Sequence, residues 1–276
     1  MCPPETLKSM ADPEISRRSL LRFGLGAAVA AAVGGVGAAE AAPVRPTRFS
    51  NVLDLTHVLG PDIPVFPSFP KFKIETFATF EGAGFYSNVI TTVEHCGTHI
   101  DAPVHFDPKG IFVDQIPPAQ LIAPAVVINI GERAARNPDT VVTPDDLRAW
   151  ERRYGRIPNG AVVLMASGWG ARAGSSERFL NADSGGTMHF PGFGKEAIDF
   201  LLTERSIYGI GVDTLSLDQG ASSTFPVHFT LLPAGRWGLE FVANIESIPP
   251  NGATLFVGAP RTASGSGGQS RVFAVW

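Results

Sequence analysis

The sequence predicts an α/β fold on a mixed sheet that is curved or barrel-like. Three observations carry that expectation. Short β-type runs dominate the chain, at 51–56, 73–80, 87–93, 125–130, 161–166, 207–212, 254–257 and 271–275. Two of them, Ala-Val-Val-Ile-Asn-Ile from Ala125 and Ala-Val-Val-Leu-Met-Ala from Ala161, are apolar without alternation. Strands covered on both faces read this way. Third, helical signals are sparse, and two helices are readable.

The first helix opens at Thr143. Its hydroxyl suits an N-cap, Pro144 fits the first turn, and Asp145 and Asp146 lie near the positive end. It is expected to run to Tyr154 and stop at Gly155. The second is expected from Lys195 to Arg205, where Ala197, Ile198, Leu201 and Leu202 form one apolar stripe.

Composition narrows the class. With 30 glycines and 23 prolines in 276 residues, the fold should be rich in ordered loops. The chain is 44% hydrophobic with a net charge of -4, which argues against disorder and against a nucleic-acid surface. Cys2 and Cys96 are the only cysteines, too few for a disulfide framework. No internal repeat or linker is visible, and 264–268, rich in Gly and Ser, reads as a surface loop.

The N-terminus reads as an export signal. Arg17-Arg18 precedes an uncharged stretch of small and apolar residues from Phe23 to Ala39, and Ala39-Glu40-Ala41 fits a signal-peptidase site. Residues 1–41 are therefore expected to be a twin-arginine signal and 42–276 the working domain. The expected location is periplasmic or secreted, with no stable membrane span after cleavage. Cys96 would then be an unpaired thiol in an oxidising compartment, and should be buried or useful.

Six histidines occur, and three fall within eleven residues: His95, His99 and His105, with Asp101 among them. Imidazole and carboxylate together suit zinc, manganese or iron. No regular element brings these residues together. A helix is opposed by Gly97 and Pro103, and a straight strand would hold His95 and His99 ~13 Å apart. The chain must bend, and Gly97 is the natural place. Pro103 would fix the exit. Further ligands could come from His228 and Glu240, if turns near Pro233-Ala234-Gly235 and Gly238 return the chain to one site.

On these residues the sequence resembles the cyclase family of metal-dependent hydrolases, which includes kynurenine formamidase and isatin hydrolase. The segment from His95 to Phe106 resembles the family's H-x-G-T-H-x-D-x-P-x-H-F signature. Further similarity lies in Asp54-Leu55-Thr56, in the run Gly211 to Asp218, in Phe225-Pro226-Val227-His228, in Gly238-Leu239-Glu240 and in the run Gly252 to Pro260. The resemblance implies a swivelling β/β/α fold and a homo-oligomer, either dimer or tetramer. It implies that His95, His99 and Asp101 hold one divalent metal, and that Asp101, His228 and Glu240 hold a second where there are two. Mn²⁺ or Zn²⁺ is implied, with His105 as acid/base residue. It also implies substrate-binding positions at Phe66, in Pro64-Val65-Phe66-Pro67, and at His189. Kynurenine formamidases carry Trp where Phe66 stands, so Phe66 keeps a π-face and loses an N–H donor.

The expected activity is hydrolysis of a C–N bond in a small aromatic amide, such as an aryl formamide or a cyclic amide like isatin, with metal-activated water. The readings kept beside it are lactone or ester hydrolysis, and an exported metal-dependent binder of a small carboxylate. His105 favours turnover, because a binder has no need of an acid/base group.

Overall fold

The computed structural model describes residues 48–276. The expected signal, 1–41, lies outside the described residues. The chain divides into two compact units. Among described residues, one holds 76–88 and the other holds 48–75 and 89–276.

Thirteen strands are present among the described residues: β1 (Val52–Asp54), β2 (Lys73–Ala78), β3 (Ser87–Thr91), β4 (His99–Asp101), β5 (Ile122–Asn129), β6 (Val141–Val142), β7 (Ala161–Ala166), β8 (Gly192–Phe193), β9 (Ile207–Val212), β10 (Trp237–Glu240), β11 (Thr254–Gly258), β12 (Gly267–Gln269) and β13 (Arg271–Val275). Nine form one curled sheet in the order β1-β13-β11-β5-β7-β9-β10-β4-β12. Its centre, β5-β7-β9-β10, is parallel, and both flanks are antiparallel. The mixed, curved α/β fold read from the sequence is the fold observed.

The uniformly apolar strands serve two cores. Val126, Ile128, Val163 and Met165 join one cluster. Ala125, Val127, Val162 and Leu164 join the other. Alternation along a strand sends neighbours to opposite faces, so a strand covered on both sides has no polar face. Helices Pro144–Tyr154 and Lys195–Thr203 cover the first face through Leu147, Trp150, Ala197, Ile198 and Leu201. The first has the expected Thr143–Asp146 capping box and ends at Gly155. Truncating a fully buried residue here, such as Met165, costs about 2–5 kcal/mol.

Two local expectations are overturned. Gly238 is no turn. It lies inside β10 opposite Asp101, where a Cβ would come 2.6 Å from Leu217 and 3.3 Å from Asp101 Oδ2. The 264–268 segment is no free loop. Gly265, Gly267 and Gly268 are buried, and Gly267 and Gly268 open edge strand β12. Composition signals turns well but cannot separate a glycine that bends the chain from one that admits a close neighbour.

In the smaller unit, Thr79 caps the short helix Phe80–Ala83, and Gly84 closes it in the left-handed region. Phe77, Phe80 and Tyr86 of this unit are exposed at 71%, 67% and 56%.

Candidate metal centre and active site

The site is assembled by a bend and a strand register. Gly97 has φ +63°, and the chain turns there before entering β4. The His95 and His99 rings come within 5.2 Å of each other, far closer than a straight strand allows. His99 and Asp101 then share one face of β4. In the antiparallel pairing with β10, Glu240 stands opposite His99 and Gly238 opposite Asp101. Paired residues project to the same side, so Glu240 joins the two ligands while Gly238 leaves room for the Asp101 carboxylate.

His228 arrives on helix Pro226–Leu231. Asp218 accepts from the backbone N–H groups of Val227 and His228 and from His228 Nδ1 at 2.6 Å. That turns His228 Nε2 inward, 3.2 Å from Glu240 Oε1 and 3.7 Å from Asp101 Oδ2. His99 is oriented the same way. Its Nδ1 meets the Gly97 carbonyl at 2.7 Å, leaving Nε2 at 3.2 Å from Asp101 Oδ1 and 3.4 Å from Glu240 Oε2. Glu240 Oε1 is fixed by the Leu217 N–H. Asp213, just past β9, ties Ser167 and Trp169 after β7.

Electrostatics show what this cluster lacks. His99, Asp101, His228 and Glu240 are all buried. Burial disfavours charge on His99, yet Asp101 and Glu240 push its pKa up to about 9. Against the same burial, Asp101, Asp218 and Glu240 raise His228 well above the ordinary value. Burial pushes Asp101 up, but the three histidines hold it well below the usual carboxylate range. The carboxylates therefore draw positive charge into a closed space. His99 Nε2 and Asp101 Oδ2 are buried with no hydrogen-bond partner. Among the described residues, two groups could hold a metal ion, His99-Asp101-Glu240 and His95-Asp101-His105, with Asp101 in both. The donor set of imidazole and carboxylate fits a divalent metal.

His105 stacks on His95 at 3.8 Å between ring centroids. Burial first, then the neighbouring histidines, lower its pKa to about 4, with Asp101 opposing. That shift favours the neutral ring, in which one nitrogen carries a lone pair. His105 also lies within reach of a metal shared with His95 and Asp101.

A cavity of about 140 Å³ opens onto these residues. Phe66, Phe69, Phe106 and Phe225 line it beside His95, His99, His105, His228 and Glu240. Among the described residues, no lysine or arginine lines it. Phe106 lies 4.6 Å from the His228 ring. Phe225 and Phe241 hold φ of +48° and +58°, each beside a segment carrying a ligand. A bulky residue rarely adopts that region without support from its surroundings. Sequence reasoning missed Phe69, Phe225 and Phe241 as cavity residues. Their only signal was adjacency to Phe66, to Pro226 and to Glu240.

His189 does not line the cavity. Its Nδ1 meets Asp139 at 2.9 Å, and its Nε2 lies 3.6 Å from Asp183. Cys96 is buried, lines the cavity and belongs to neither ligand group. Burial pushes its thiol up.

Comparison with known proteins places relatives beside this chain. The profile of the putative cyclase family matches residues 53–219. An isatin hydrolase from Roseibium aggregatum is 35% identical over 241 residues, covering 81% of this chain and 91% of that protein. The crystal structure of an isatin hydrolase bound to the product analogue thioisatinate superposes with TM-score 0.78 at 33% identity, covering 82% of this chain and 92% of that one. Isatin hydrolase A from Ralstonia solanacearum gives TM-score 0.76 at 38% identity over 82% and 91%.

Proposed function

The chain belongs to the putative cyclase family, and from that premise we propose that it hydrolyses the amide bond of a small aromatic substrate, an aryl formamide or a cyclic amide such as isatin. That it is a hydrolase acting on carbon–nitrogen bonds rests on its likeness to isatin hydrolases over nine-tenths of their length. The single observation that carries the mechanism is the buried cluster of imidazoles and carboxylates with unpartnered donor atoms at the floor of an aromatic cavity.

In this reading His95, His99, Asp101, His228 and Glu240 hold one or two divalent ions, Mn²⁺ or Zn²⁺. A bound ion lowers the pKa of water and polarises the substrate carbonyl. Phe66, Phe106 and Phe225 bind the aromatic ring by their faces and exclude water. The neutral ring of His105 accepts the proton released on attack and returns it to the departing nitrogen. Amide nitrogen leaves poorly without that proton, so His105 matters more for amides than for esters. Turnover of isatin and of a formanilide by the purified protein, beside a lactone and an ester, tests this. Lactone turnover well above amide turnover would favour the ester reading.

We further propose that the protein works as a homo-oligomer after twin-arginine export. Self-association is supported by the exposed Phe77, Phe80 and Tyr86, large apolar side chains of one unit that a second copy would cover. Light scattering of the purified chain tests it, and a monomer at micromolar concentration would rule it out. Export is supported by Arg17-Arg18 and the small-residue stretch behind it. Loss of export on Arg17→Lys with Arg18→Lys tests that, and unchanged export would refute it. No helix among the described residues is long and apolar enough to cross a membrane.

A further inference from the structure

We propose that Ser266 is a positioning residue for His95, holding it through a relay that ends on Glu94. The inference rests on the metal reading above.

Each inward-facing histidine has its outer nitrogen fixed by a different group. His99 uses the Gly97 carbonyl and His228 uses Asp218. His95 Nε2 meets Ser266 Oγ at 2.9 Å, and Ser266 Oγ in turn donates to Glu94 Oε2 at 2.6 Å. A serine hydroxyl has one proton, and here it goes to Glu94. Towards His95, Ser266 Oγ can then only accept, so Nε2 must carry the ring proton. Nδ1 is left facing Asp101 Oδ1, 2.7 Å away, and in the neutral ring it presents its lone pair there. A metal ion held at that point would take the place a proton fills between the two atoms.

The surrounding chain is built to hold this relay shut. Glu94 Oε2 also accepts from the Ser266 N–H. The Ser266 carbonyl accepts from Ala102 N, one residue beyond Asp101. The Gln269 amide donates to the carbonyls of Val93 and Glu94. Glycines flank Ser266 because nothing larger fits. A Cβ at position 265 would come 2.7 Å from Glu94 Oε1, and one at 267 would come 2.8 Å from His95 Cε1. The segment that composition assigned to a surface loop thus becomes the outer wall of the ligand set.

Outer partners of ligating histidines typically change metal affinity by ~10–100-fold when removed. The test is Mn²⁺ affinity of the purified mature chain, by chelator competition, with the melting temperature of the metal-free protein alongside. Ser266→Ala should weaken binding by roughly that factor while the metal-free protein melts near the wild-type value. Ser266→Thr keeps the hydroxyl and should restore affinity. Glu94→Ala frees the serine proton to turn toward Nε2, and should weaken binding in the same direction. It also serves as the test if Ser266→Ala fails to fold. Wild-type affinity in Ser266→Ala or Glu94→Ala overturns the relay alone. Wild-type protein that binds neither Mn²⁺ nor Zn²⁺ overturns the metal reading and the relay with it. No substrate is needed, so failure to find the right amide leaves this result intact.

Discussion

Two clusters in this protein use the same chemistry and differ in what they can do. His99, Asp101 and Glu240 form one, and His189, Asp139 and Asp183 form the other. Both join an imidazole to two carboxylates. In the second, both ring nitrogens face carboxylates, and Asp183 also takes the N–H groups of Gly185 and Thr187. Water reaches all three side chains. In the first, burial is nearly complete, and a nitrogen and an oxygen remain without partners. A buried polar group without a partner costs free energy, and it persists where a ligand completes it. Residue type therefore nominates a site, but closure and unmet bonding capacity make one.

The largest expected effect is at the shared ligand. Asp101→Ala should reduce bound metal at every site it serves and abolish turnover, read by metal analysis and activity. A variant with full metal content would separate Asp101 from the centre. Next comes His105→Ala. It should lower turnover by ~10²–10⁴-fold with metal content near normal, the usual size of an acid/base contribution. Metal loss in that variant would make His105 a ligand, a role its distance from His95 and Asp101 permits. Smaller still is Phe66→Ala, expected to raise KM for aromatic substrates far more than for aliphatic ones. Equal effects on both would place the ring outside the binding wall.

The smallest effect falls on the exposed cluster. His189→Ala should leave kcat/KM within about twofold, as substitutions away from a site usually do. Its stability effect should depend on pH. Asp139 raises the His189 pKa above 6.5. A raised histidine stabilises the fold below the unfolded value of 6.5, and that contribution is lost as pH rises through the higher folded value. The melting difference between wild type and His189→Ala should be present at pH 5.5 and gone at pH 9. A large loss of activity would return His189 to the substrate site.

Much of this was legible in the sequence, and the reasons are specific. The eight expected strand runs all form, because apolar runs and β-branched residues act over a few neighbours. The bend at Gly97 was legible because ligands of one ion must nearly touch. Strands β4, β10 and β12 were not legible. They are short, and their residues are chosen for the site and for close approach, as Gly238 and Gly267 show. The alignment of Glu240 with His99 depends on register, which no local pattern fixes. Ser266 was invisible for the same reason. It lies 171 residues from His95 in sequence and meets it only because β12 pairs with β4.

The central claim is that the buried cluster is a divalent metal centre on which hydrolysis depends. The most direct measurement is metal content per chain of the purified protein, taken with turnover of isatin and a formanilide before chelation, after it, and after Mn²⁺ or Zn²⁺ is restored. At least one ion per chain is expected, with activity lost on chelation and regained with the ion. Undiminished amide turnover by protein shown to hold no metal would contradict the account.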